Sequence, residues 1–91
     1  MNKSLEYFFE SYMHQDWRED YASSFDAVAA FDVEEKSEIK KEFVDALLLL
    51  LEDGELPNDM INKFGGNFQP DSEGMTTDAW VKKVIDSIHV T

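Results

Sequence analysis

Apolar residues recur at helical spacing along almost the whole chain. Over residues 4–13, Leu5, Phe8, Phe9, Tyr12 and Met13 share one side, while Glu6, Glu10 and Ser11 face away and Tyr7 sits among them. A second, short helix is expected over 24–31, with Phe25, Val28 and Phe31 as its apolar teeth; Ser23 and Asp26 stand at the spacing of a capping box. The main helix is expected over 37–53. Ile39, Phe43, Ala46, Leu47 and Leu50 form its apolar face with Val44, Leu48 and Leu51. Glu38, Glu42 and Asp45 line the opposite side, on which Leu49 also falls, and Gly54 is the expected stop. A fourth helix is read over 57–64, opened by Pro57 and closed by Gly65-Gly66, with 65–75 as loop. The last helix starts near Thr76 as N-cap and buries Trp80, Val81, Val84, Ile85 and Ile88, leaving Lys82, Lys83 and Asp86 in water. No stretch alternates with period two. The pattern predicts an all-α, compact helical bundle of about five helices spanning 1–91 as one domain. Two longer helices lie at its centre, and Phe43, Leu47, Leu50, Trp80 and Val84 occupy one core with Trp17 at least half buried against it.

Composition changes this picture mainly through charge. The 91 residues carry 20 acids and 8 bases, net −12, with a mean hydropathy of −0.44. Such numbers border on disorder, but seven Phe, three Tyr and two Trp supply enough apolar mass for a core. A chain this short excludes a doubly wound nucleotide-binding sheet or a barrel enzyme, and its radius of gyration should be roughly 12 Å. Phosphate backbones are repelled, so direct nucleic-acid binding is not expected; the natural counterpart is a basic surface. The longest apolar run, Ala46 to Leu51, is far too short for a membrane span, and residues 1–12 lack a signal-peptide core. There is no cysteine, hence no disulfide and no thiolate metal site, which fits a cytoplasmic protein.

Candidate chemistry is sparse. His14 and Asp16 have the makings of an acid–base or metal-ligand pair, yet no activated nucleophile accompanies them and the other histidine, His89, is near the chain end. The structural reading is stronger: His14, Gln15 and Asp16 end the first helix and bond its last carbonyls and the following turn, and Trp17 folds back onto the core. Residues 71–78 lack the spacing and terminal Glu of a calcium loop. No metal, no cofactor and no turnover are expected. Residues 1–55 hold 15 acids and 5 bases, and 16–35 hold seven acids against Arg18 alone. Glu19, Asp20, Asp32, Glu34 and Glu35, with Asp71 and Glu73 as outer contributors, are therefore the candidate contacts to a basic partner. The stripe of Glu38, Glu42 and Asp45 is the alternative face, and a purely solubilising role is the plain reading of both.

Tyr12-Met13-His14-Gln15-Asp16-Trp17 resembles the Tyr-Phe-His-Gln-Asp-Trp signature of the small acidic immunity proteins of contact-dependent growth inhibition systems. The rest follows in the family's order: an aromatic-rich first helix, a Ser-led short helix, a Leu-rich helix, an aromatic-x-Pro element at Phe68-Gln69-Pro70, and a capped helix with the early Trp80. Met13 replaces the usual aromatic, and Val81 stands where the family tends to have Leu; both stay apolar. The resemblance implies a cytoplasmic, non-enzymatic antitoxin, a monomer when free. It would bind one cognate toxin domain 1:1, commonly a nuclease, and occlude its basic active-site cleft. It also implies a scaffold role for His14, Gln15, Asp16 and Trp17. The rival readings are an acidic adaptor for a basic non-toxin protein and, third, an enzyme using His14 with Asp16.

Overall fold

A computed structural model describes residues 3–54 and 56–89. Among them are six α-helices and one 3-10 turn, and no strand: α1 (Lys3–Tyr12), α2 (Trp17–Asp20), α3 (Ser24–Glu34), α4 (Ser37–Glu52), α5 (Met60–Lys63), the 3-10 turn (Pro70–Glu73) and α6 (Thr77–Ser87). α1 packs on α4 and α3, and α6 packs on the same two helices, so four helices close a ring around one core. The radius of gyration is 11.9 Å.

Each long helix forms where its apolar period and its caps agree. The Ser23 hydroxyl accepts from the Asp26 amide to start α3, and Thr76 accepts from Ala79 to start α6. Gly54, at φ +119°, ends α4 in a conformation that a side chain would disfavour. The core centres on Phe8, Phe31 and Phe43, whose ring centroids lie 4.6–5.0 Å apart, and extends through Phe9 to Trp80. The leucine run of α4 is divided by helical geometry. Leu47 is buried, Leu50 and Leu51 are half-buried at the core edge, and Leu48 and Leu49 face water.

Three expectations need correction. Four helices of 10–16 residues, not two, build the centre. α3 runs to Glu34 rather than stopping at 31, because the Lys40 ammonium reaches the Asp32 carbonyl at 3.0 Å and satisfies an end that lacks local bases. The helix read over 57–64 shrinks to Met60–Lys63, since Pro57 and the two residues after it form a turn closed by the Met60 amide on the Pro57 carbonyl at 3.1 Å.

Candidate functional site

The signature segment ends α1 and anchors a distant loop. The Asp16 amide donates to His14 Nδ1 at 3.1 Å, so in the neutral ring the proton sits on Nε2, which lies 3.7 Å from the Asp20 carboxylate. Trp17 is 2% exposed and its indole N–H donates to the Asn67 carbonyl at 2.8 Å, while the Asn67 amide donates to the Met13 carbonyl at 3.0 Å. Both sides of residue 67 are thus tied to 13–17. The loop lies flush because Gly66 has no Cβ; one there would stand 2.5 Å from Ile61 Cγ2. Gln15 and Asp16 have exposed side chains. The segment works as a clamp through Met13, His14 and Trp17.

The acids that the sequence grouped together are separated by the fold. Glu73 is half-buried and engaged by the fold: its carboxylate accepts from the Ser24 amide at 2.9 Å and the Ser24 hydroxyl at 2.6 Å, and that hydroxyl accepts from the buried Trp80 indole at 2.9 Å. Asp32, 16% exposed at its side chain, pairs with Lys40 at 3.2 Å and accepts from the His89 amide at 2.7 Å and from its ring at 2.9 Å. Burial would push the Asp32 carboxyl up, but the bonds from His89 and Lys40 outweigh it and hold it below its ordinary value. Glu19 and Asp71 are exposed on α2 and the 3-10 turn.

Glu34 and Glu35 do come together, on a belt with Tyr7 and Tyr12. The Tyr7 and Tyr12 hydroxyls donate to one oxygen of Glu35 at 2.7 and 2.6 Å, and Tyr12 also lies 3.2 Å from Glu34. Tyr21 completes the row: burial first, then the charges of Glu34 and Asp20, push its phenol up. Tyr7 is raised by its bond to Glu35 and Tyr12 by burial and then the same carboxylate, so both stay protonated donors across the neutral range. The belt continues along α1 and α4 to Ile39 and Glu42, with Ser4 Oγ 3.5 Å from the Glu42 carboxylate. Large apolar side chains on α1, α3 and α4 are also exposed: Tyr7 is 43% exposed, Val33 83% and Leu49 61%.

The tyrosines are what sequence reading missed. Tyr7 alone carried a signal, an aromatic on the polar side of its helix; Tyr12 falls on the apolar side, and Tyr21 lies in no periodic segment. The arrangement presents carboxylates fixed by phenol hydroxyls beside the exposed Tyr7 ring, which suits cation recognition. Among the described residues no group of three His, Asp or Glu is placed to hold a metal ion, and no helix is long and apolar enough to cross a membrane.

A family model described as CdiI immunity protein matches residues 2–88. No curated protein matches the chain. Among solved structures, the chain is similar to one in the crystal structure of a CdiA-CT/CdiI complex from Y. kristensenii 33638, at 20% identity and a TM-score of 0.85, over 97% of this chain and 98% of that one. Likeness at that identity speaks to the fold.

Proposed function

The chain belongs to the CdiI immunity protein family, and from that premise we propose that it neutralises the C-terminal toxin domain of a contact-dependent growth inhibition system by binding it. The family match over 2–88 is the observation that carries this reading. The similar solved chain comes from a complex of a CdiA-CT with a CdiI, which supports a toxin domain as the partner.

The mechanism we infer is occlusion. A toxin that cleaves nucleic acid must present Lys and Arg to phosphates. A chain of net −12 with carboxylates held on a belt occupies such a surface as a phosphate mimic and excludes the substrate. Binding is stoichiometric, one toxin domain per chain, in the cytoplasm, and needs no metal, cofactor or turnover. Glu34 and Glu35, with Asp20, are the acids we assign to this contact; Glu19 and Asp71 act as outer steering charges, and Asp32 and Glu73 shape the surface from behind. An acidic adaptor for a basic non-toxin protein has no observation of its own in its favour.

The test is co-expression with the toxin domain encoded beside the chain. Cells should survive, and the two proteins should copurify in equal amounts. Death of the cells with no complex recovered would overturn the reading.

A further inference from the structure

A recess of about 210 Å³ opens between α1 and α4, lined by Lys3, Ser4, Tyr7, Ile39 and Glu42. That is smaller than the roughly 300–1,000 Å³ of small-molecule pockets and suits a single inserted side chain. We propose that this recess is the seat of one lysine or arginine of the toxin domain, its aliphatic stem against Tyr7 and Ile39 and its cationic head between Glu42 and Glu35. The inference rests on the toxin-binding reading above and specifies where and by what chemistry that binding is anchored.

The walls select the occupant. Tyr7 and Ile39 offer apolar contact, which a purely polar group would waste. Yet an apolar plug would strip water from the Glu42 carboxylate with nothing in return, and a desolvated charge without a partner is costly. A side chain with a methylene stem and a cationic tip satisfies both walls, and the exposed Tyr7 ring adds its face to the attraction. The Tyr7 hydroxyl already holds Glu35 at 2.7 Å, so that carboxylate is positioned before the partner arrives. Exposed carboxylates run along α4 beside the recess, with the exposed Lys41 among them. Glu38, Glu42 and Asp45 follow at i, i+4 and i+7 along α4, with Leu49 at i+11 on the same face as an apolar neighbour. Lys3 is the one cation in the lining, and it competes with the occupant.

That competition gives the test two signs. Dissociation constants for the purified toxin domain are measured for parent and variants that melt like it. Glu42→Lys should weaken binding by roughly tenfold or more, and Tyr7→Ser by a comparable factor through loss of the ring. Lys3→Glu should tighten it. Charge-matched changes on α6, which forms neither wall, are the controls: Asp86→Lys for Glu42→Lys and Lys82→Glu for Lys3→Glu. The proposal is overturned if the parent binds while Glu42→Lys and Lys3→Glu behave like their matched controls and Tyr7→Ser binds like the parent. A parent that binds no toxin at all overturns the toxin-binding reading, and the seat with it.

Discussion

The two ends of α3 use carboxylates in opposite ways. At the N-terminal end, Glu73 accepts two hydrogen bonds from Ser24, whose hydroxyl in turn accepts from the Trp80 indole. A negative charge there also faces the positive end of the helix dipole. About 15 Å away along the axis, the C-terminal turn carries Asp32 and Glu34, is capped by Glu35, and contains no base. Those acids sit against the negative end of the same dipole. Lys40 from α4 and His89 from beyond α6 compensate Asp32, and Tyr7 and Tyr12 hold Glu35 through hydroxyls. Carboxylates at the first end stabilise the fold. At the second end Asp32 also stabilises it, through Lys40 and His89, whereas Glu34 and Glu35 are tolerated, which is what a surface kept for a charged partner looks like.

The largest expected effect tests the first end. Glu73→Ala leaves the Ser24 amide and hydroxyl without their acceptor and should destabilise the protein by about 1.5–3 kcal/mol, the range for hydrogen bonds to a charged group. Urea denaturation at neutral pH reads this directly. Toxin affinity of the folded fraction should be unchanged, since the carboxylate is already engaged by Ser24. A stable Glu73→Ala variant with lost affinity would reverse the roles assigned to the two ends.

Titration sharpens the comparison. Asp32 is held below its ordinary pKa, so its contribution is complete above about pH 4 and is lost as pH falls through the lower folded value. Asp32→Asn should therefore cost about 1 kcal/mol at pH 7 and flatten the acid limb of stability against pH. Tyr12 is shifted the other way. Its raised pKa leaves its contribution intact below about pH 10, and the contribution disappears as pH rises beyond that. Tyr12→Phe should flatten the alkaline limb and leave the acid limb as in the parent. An alkaline limb identical in both proteins would show that neither burial nor Glu35 holds the Tyr12 phenol protonated.

How much of this was legible follows from the range of each interaction. Helices, caps and the aromatic core were readable because they depend on neighbours three or four residues apart: Ser23 with Asp26, Thr76 with Ala79, Phe8 beside Phe9 on one side of α1. The clamp at Trp17 was half readable, as burial but not as a bond to residue 67. The acids were the opposite case. Counting charge between 16 and 35 put Asp32 and Glu35 in one group, yet their surroundings are set by Lys40, His89, Tyr7 and Tyr12 from elsewhere in the chain. Glu73 was read as an outer contact because nothing local shows that Ser24, 49 residues earlier, lies against it.

The smallest effect on stability is the sharpest test of the comparison. Replacing Glu34 and Glu35 by Gln keeps an oxygen that accepts from Tyr7 and Tyr12 and removes only the charge. At a helix C-terminus that charge is unfavourable by roughly 0.3–1 kcal/mol, but the phenol bonds to Glu35 lose their charge assistance, so Glu34→Gln should leave the free protein slightly more stable and the double variant close to the parent. Toxin binding should weaken. Loss of two negative charges from the belt slows the steered encounter and weakens the salt dependence of association, because screening acts only on the charges that remain. The Debye length falls from about 10 Å at 0.1 M salt to about 3 Å at 1 M, so the parent and the Glu34→Gln/Glu35→Gln variant should differ most in on-rate at low salt and converge at high salt. Opposite signs for stability and association in Glu34→Gln identify a charge retained at a cost to the fold. If the double variant is less stable than the parent and associates equally fast, the C-terminal end of α3 is as structural as the N-terminal end and the contrast between them disappears.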